Sequence, residues 1–217
     1  MRHLINCVFI SLGLCILFAL LAPAAIKDEN FFPHFGRDTV LVWKIQISDF
    51  ETRFIVRIAE FSPNRHFEWE DDKAQGTVFI PEKDVLAAKG YVNTSLFEAG
   101  VDTTSKNYTT LWLSRKIYKE FKEKKNVKFN LDGVRAKFLS LGEDQLIVEV
   151  NRAKIALPVI KISDDRGSER WFLDHEDNPL LVKHKIRTYT QTLTSITTDK
   201  PNTLRWIRAA KRKNHTR

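Results

Sequence analysis

The sequence predicts a mainly β fold: an antiparallel meander that forms a β-barrel or curled half-barrel, with two short helices. Three observations carry this. Most segments alternate apolar and polar residues with period two, the signature of a half-buried strand. Turn-forming residues separate them at hairpin length. Helical periodicity is confined to two short stretches.

Taken in order, Thr39–Ile47 puts Leu41, Trp43, Ile45 and Ile47 on one face. Arg53–Phe61 repeats the pattern across a gap at Ser48–Thr52, and His66–Glu70 and Gly76–Ile80 follow as short strands. Pro81 opens a helix to Ala88, with Gly90 as its stop, the expected placement of the two residues. Tyr91–Thr110 is polar and reads as a long loop with room for a short strand, and Asn107–Leu113 as a further strand. Ser114 caps a second helix, Arg115–Lys125, whose bases read as a solvated face. Strands then follow at Val127–Leu131, Val134–Leu139 and Leu146–Val150, with turns at Asp132-Gly133 and Gly142–Asp144. Asn151-Arg152 turns into Lys154–Ile162, where Pro158 predicts a bulge or an edge. Arg170–Leu173, Leu180–Ile186 and Gln191–Thr197 complete about ten strands.

The chain of 217 residues suggests a single domain, and its 43% hydrophobic and 29% charged content is that of a globular protein. Three parts are distinguished: residues 1–26, a β-rich domain over 27–204, and a basic tail over 205–217. Met1-Arg2-His3 is positive and Leu4–Ile26 is apolar. Ala22-Pro23-Ala24 fits the small-x-small rule, which places signal cleavage after Ala24. The run also reaches the length of about twenty residues that spans a bilayer, so a retained anchor is the rival reading. Either way the positive end stays inside and Lys27 onward is exported, periplasmic or extracytoplasmic. Leu14 before Cys15 is too large for a lipoprotein cleavage box. Both cysteines, Cys7 and Cys15, lie in this segment, so the body holds no disulfide framework or thiolate site.

Seven of the eight net positive charges belong to the ends. Arg205, Arg208, Lys211, Arg212, Lys213 and Arg217 occupy the tail without an acid, and Arg2 the start. The body is left with 28 bases against 27 acids, so no nucleic-acid face is indicated. Outside the cytoplasm the tail, with Trp206 among its bases, suits an anionic membrane surface or acidic glycan. Asn93-Thr94-Ser95, Asn107-Tyr108-Thr109 and Asn214-His215-Thr216 match the glycosylation acceptor pattern.

No GxSxG, P-loop, GxGxxG, HExxH or Asp-Thr/Ser-Gly motif occurs, and no cofactor or metal site is indicated. The densest chemistry lies in Glu169–Ile186. Asp174, His175, Glu176 and Asp177 form an acidic turn closed by Asn178-Pro179. Carboxylates beside an imidazole suit proton transfer or a hard cation. A hydrolase or metal-dependent enzyme using Asp174, His175, Asp177 and His184 is therefore one reading, and plain hairpin chemistry the other. Alternation puts Leu180, Val182, His184 and Ile186 on one inward face, opposite Trp171 and Leu173. With Trp43 and Trp69 also inward, these residues are the candidate lining for an apolar or amphiphilic ligand such as a lipid, and a filled core, with His184 hydrogen-bonded inside it, is the rival reading.

At WFLDHEDNPLLVKHKI, with WLSRKIYKEFK upstream, the C-terminal half resembles exported bacterial proteins of unknown function. Their β-rich domains end in a Trp-x-Leu-Asp…Asn-Pro-Leu hairpin followed by one last strand. The resemblance implies a bacterial envelope location and a curled sheet or barrel, and it carries no catalytic residues across. The expected role is an exported, non-enzymatic envelope protein that binds such a ligand or another envelope protein.

Overall fold

In the computed structural model, residues 34–198 are described. The export segment with its cleavage point after Ala24, both cysteines, the basic tail and the acceptor pattern at Asn214 lie outside them. The fold is mainly β, with thirteen strands in one large sheet and two helices among the described residues.

The first half supplies β1 (Val40–Ile47), β2 (Phe50–Glu60), β3 (Arg65–Glu70), β4 (Gln75–Ile80), α1 (Glu82–Ala87), β5 (Gly90–Tyr91), β6 (Asp102–Thr104) and β7 (Tyr108–Thr109). The second supplies α2 (Arg115–Glu123), β8 (Asn126–Leu131), β9 (Val134–Val150), β10 (Ala153–Asp164), β11 (Glu169–Leu173), β12 (Leu181–Ile186) and β13 (Tyr189–Thr197). The sheet order is β6-β4-β3-β2-β1-β13-β12-β11-β10-β9-β8-β5-β7. β13 also reaches β9 in parallel, at Ser195–Glu149 and Ile196–Val150, across the three strands that separate them in that order.

Local chemistry accounts for most elements. Asp132 and Gly133 take φ of 49° and 82°, the positive pair that a two-residue hairpin demands. Asn151 and Arg152 do the same at 48° and 72°. The hydroxyl of Ser114 accepts the Ile117 N–H at 3.2 Å and caps α2. Ile117, Tyr118 and Phe121 form the buried face of that helix.

Several expectations are corrected. Gly142–Asp144 is no turn: β9 runs unbroken through it for 17 residues. Gly142, at φ 101°, instead belongs to a bulge in which Lys161 and Ile162 oppose Gly142 and Ser140 and leave Leu141 extra. The β1–β2 hairpin is tighter than expected, with only Ser48 and Asp49 between Ile47 and Phe50. The long polar loop contains β5, β6 and β7. Pro158 meets neither expectation: the bulge lies elsewhere, and β10 is an interior strand whose Pro158 carbonyl accepts from the Asp174 N–H at 2.9 Å on the β11 side.

Two apolar cores result. One gathers Leu41, Trp43, Phe54, Val56, Trp69, Val148, Leu157, Trp171 and Leu173. The other packs α2 on Val127, Phe129, Phe138, Ile160, Ile162, Phe172 and Leu181. β10, β11 and β12 contribute to both, so Glu169–Ile186 lies between two cores.

Candidate functional site: the cleft beside His184

The expected inward row is split by a second bulge. Trp171 pairs with Lys183, but Phe172 pairs with Leu181, which leaves Val182 extra. Leu180 and Val182 therefore join Trp171 and Leu173 in the first core. His184 pairs with Arg170 instead, and Ile186, two residues on, shares its face. Lys183 stays with Trp171, its ammonium 5.0 Å from the indole centre.

His184 and Ile186 open onto a cleft of about 340 Å³. Its apolar walls are Leu131, Val134, Ala136 and Ile186, and Asn93 and Thr94 stand at its border with Asp132. A turn built by Asp164 positions its polar end. One carboxylate oxygen, Oδ1, accepts the backbone N–H groups of Arg166 at 3.0 Å and Ser168 at 2.9 Å. The other, Oδ2, accepts from Arg170 Nη1 at 3.3 Å. Both side chains of that ion pair are almost wholly buried, at 4% and 3% exposure. Ser168 Oγ then shares a hydrogen bond of 3.0 Å with His184 Nε2. Tyr189 packs its ring against the imidazole at 5.4 Å and donates its hydroxyl to Gln191 Oε1 at 2.9 Å.

Electrostatics keep these groups neutral. Burial, and secondarily the Arg170 charge, lower the His184 pKa to about 3, with Asp164 pulling weakly the other way. Burial raises the Tyr189 phenol to about 12, with Arg170 opposing it. Ser168 has no exposed surface. Its hydroxyl therefore fixes the ring of His184 and does not face an external substrate. The cleft offers binding groups: a neutral imidazole, a phenol and an amide above an apolar wall.

The acidic turn lies elsewhere, docked on α2. Arg115 Nη2 meets Asp177 Oδ1 at 2.8 Å, Lys119 meets Glu176 at 2.9 Å and Lys122 meets Asp174 at 3.0 Å. The Tyr118 hydroxyl also donates to Asp174, at 2.6 Å. Thus three of the bases expected to form a solvated face, Arg115, Lys119 and Lys122, also pair with the turn in a ladder along α2. Asp174, His175 and Asp177 do not line the His184 cleft. Among the described residues, no group of three or more His, Cys, Asp or Glu is placed to hold a metal.

Of the candidate lining residues, Trp43, Trp69, Trp171, Leu173, Leu180 and Val182 come together in the first core, and His184 stands apart. The Trp43 indole donates to the Leu181 carbonyl at 3.0 Å, and Trp171 to Asp144 at 3.3 Å. Trp69, stacked on Phe54, also borders a second cleft of about 310 Å³ with Gly76 and Asp102. The residues that sequence reasoning missed are Asp164, Ser168, Arg170, Tyr189 and Gln191. A usable signal existed: Arg170 alternates with Phe172 on a strand face, six residues after an aspartate that opens a glycine turn.

Among the described residues no helix is long and apolar enough to cross a membrane. No family model, curated protein or solved structure matches the chain.

Proposed function

We propose that the protein is an exported cell-envelope binding protein with a barrel-like body, and that its cleft beside His184 takes a small amphiphile with an uncharged hydrogen-bonding end. The observation that carries this is the cleft's composition. Apolar walls of Leu131, Val134, Ala136 and Ile186 lead to His184, Tyr189 and Gln191 in a volume within the range of small-molecule sites. At its buried end the polar groups already have partners, while Asp165 and Arg166 line its exposed rim. Asp164 holds Arg170, Asp132 accepts both the backbone and side-chain N–H groups of Asn93, and burial keeps the imidazole neutral. A charged head at that buried end would have to displace one of these partners, and an uncharged one would not. The parallel contact of β13 with β9 supports the barrel-like reading.

The apolar start at residues 1–26 supports export, and the tail's Arg205, Trp206, Arg208, Lys211, Arg212 and Lys213 support contact with an anionic membrane surface. Native mass spectrometry of protein purified gently from its host tests both parts. A chain beginning at Ala25 or an intact anchor, together with a co-purifying uncharged amphiphile, is the expected result. Absence of bound mass, with no thermal shift from a monoacylglycerol or an alkyl glucoside, would remove the ligand-binding reading.

A further inference from the structure

Arg65, the first residue of β3, is a buried cation without a counterion. Its Nη2 donates to the Asp177 carbonyl at 2.8 Å and its Nη1 to the Asn64 carbonyl at 3.3 Å. Its guanidinium lies 3.7 Å from the centre of the Phe61 ring. Among the described residues no carboxylate pairs with it. Burial, and then the Arg115 charge, lower its pKa to about 10, with Asp177 opposing them, so it stays charged at neutral pH. The Asp177 carboxylate already meets Arg115 at 2.8 Å, and its side chain is 61% exposed. Two guanidinium groups therefore share one half-solvated carboxylate, whereas buried charges are normally paired.

Arg65, Thr109, Arg115 and Asp177 line one small cavity. Three of them keep a buried polar atom with no hydrogen-bond partner among the described residues: Arg65 Nε, Thr109 Oγ1 and Arg115 Nε. Arg65 is 4% exposed and Thr109 1%. Both Nε atoms can only donate, and the hydroxyl can donate as well. The volume of about 10 Å³ is room for one guest of about the size of a water, and too little for a phosphate or a sulfate. We propose that this cavity binds a single monatomic anion of the chloride class, held between Arg65 and Arg115. The lining selects an anion over water. A water would leave the second guanidinium charge unbalanced, while a halide accepts from all three groups and supplies the missing charge. Occupied, the site ties β3, α2 and the acidic turn together. It shares no lining residue with the His184 cleft.

The test uses the full-length chain, sodium bromide as the probe, and sodium gluconate and sodium sulfate at equal ionic strength as controls. In urea denaturation, bromide at about 0.1 M is expected to lower the unfolding equilibrium constant about tenfold relative to gluconate, with saturation, and sulfate to give no saturable gain. Crystals grown in bromide should show its anomalous signal beside Arg65 Nε and Arg115 Nε. Arg115→Gln, at a side chain 37% exposed, should keep the fold and abolish the gain. Thr109→Val should weaken the bromide effect about threefold. Equal stability in bromide and gluconate, with no anomalous signal, would overturn the proposal in favour of a bound water. A gain that sulfate matches, or that Arg115→Gln retains, would overturn it in favour of general salt screening. An anomalous signal without the solution effect would mark an adventitious ion only and overturn it as well.

Discussion

The two faces of β11 and β12 come from alternate residues of one short stretch, yet they differ in kind. On the Trp171 side, Trp43, Trp171, Leu173, Leu180 and Val182 pack dry, and the indole N–H groups find a buried carbonyl and a partly buried carboxylate. On the His184 side, a buried ion pair and an imidazole held from behind by a buried serine line an open cleft. One extra residue, Val182, separates these outcomes, because a bulge reassigns every side chain beyond it. The dry face holds by volume and the polar face by matched partners, and the two should fail in different ways.

The largest effect is expected on the dry face. Trp43 is fully buried, and Trp43→Ala removes both its volume and its bond to Leu181. Urea denaturation should show a loss of about 4 kcal/mol. Trp43→Phe should recover most of it, since the core keeps an aromatic ring there. A loss under about 1 kcal/mol for the alanine variant would mean that the face is not packed as described.

On the polar face, the comparable change is electrostatic. Asp164→Ala strands Arg170 as a buried charge and releases the backbone N–H groups of Arg166 and Ser168. A loss of about 3 kcal/mol is expected. The double variant Asp164→Leu, Arg170→Met should be markedly more stable than Asp164→Ala, because it removes both charges together. If the double variant is the worse of the two, the pair is not what holds this face.

How much of this was legible varies by element. Alternation marked most of the strands, and Asp132-Gly133, Asn151-Arg152 and the Ser114 cap were read from local chemistry that acts within a few residues. Gly142-Glu143-Asp144 has the composition of a turn, but the unbroken β10 ladder holds it extended and uses the glycine for a bulge. The face of His184 was not readable, because the bulge at Val182 is set by register with β11 and not by any residue of β12. The buried pair Asp164–Arg170 was missed because a charge on a strand normally marks the solvent side.

The third effect depends on pH. Unfolded, His184 takes a proton near 6.5, whereas burial delays this in the folded protein to about 3. Between those values the unfolded state binds more protons, so stability falls as pH drops and is flat above about 7. From pH 7 to pH 5 this group alone should remove about 2 kcal/mol. Chemical denaturation at the two pH values measures it, with His184→Gln as the control that keeps a polar partner for Ser168. The variant should lose about 2 kcal/mol less than the parent over that interval. Equal losses would mean that His184 is solvated and that the cleft reaches deeper than its lining implies.

The smallest effect separates both buried faces from the ladder that docks the acidic turn on α2. Lys119 and Glu176 meet at 2.9 Å, but their side chains are 56% and 47% exposed. Water and salt screen such a pair, and two long side chains lose freedom in holding it. Lys119→Ala should therefore change stability by no more than about 0.5 kcal/mol, although its pair is closer than Asp164 and Arg170. The contrast with Asp164→Ala turns on burial and not on distance. If Lys119→Ala instead costs as much as Asp164→Ala, the turn is held on α2 by charge. Its carboxylates would then belong with the His184 face as determinants of the fold.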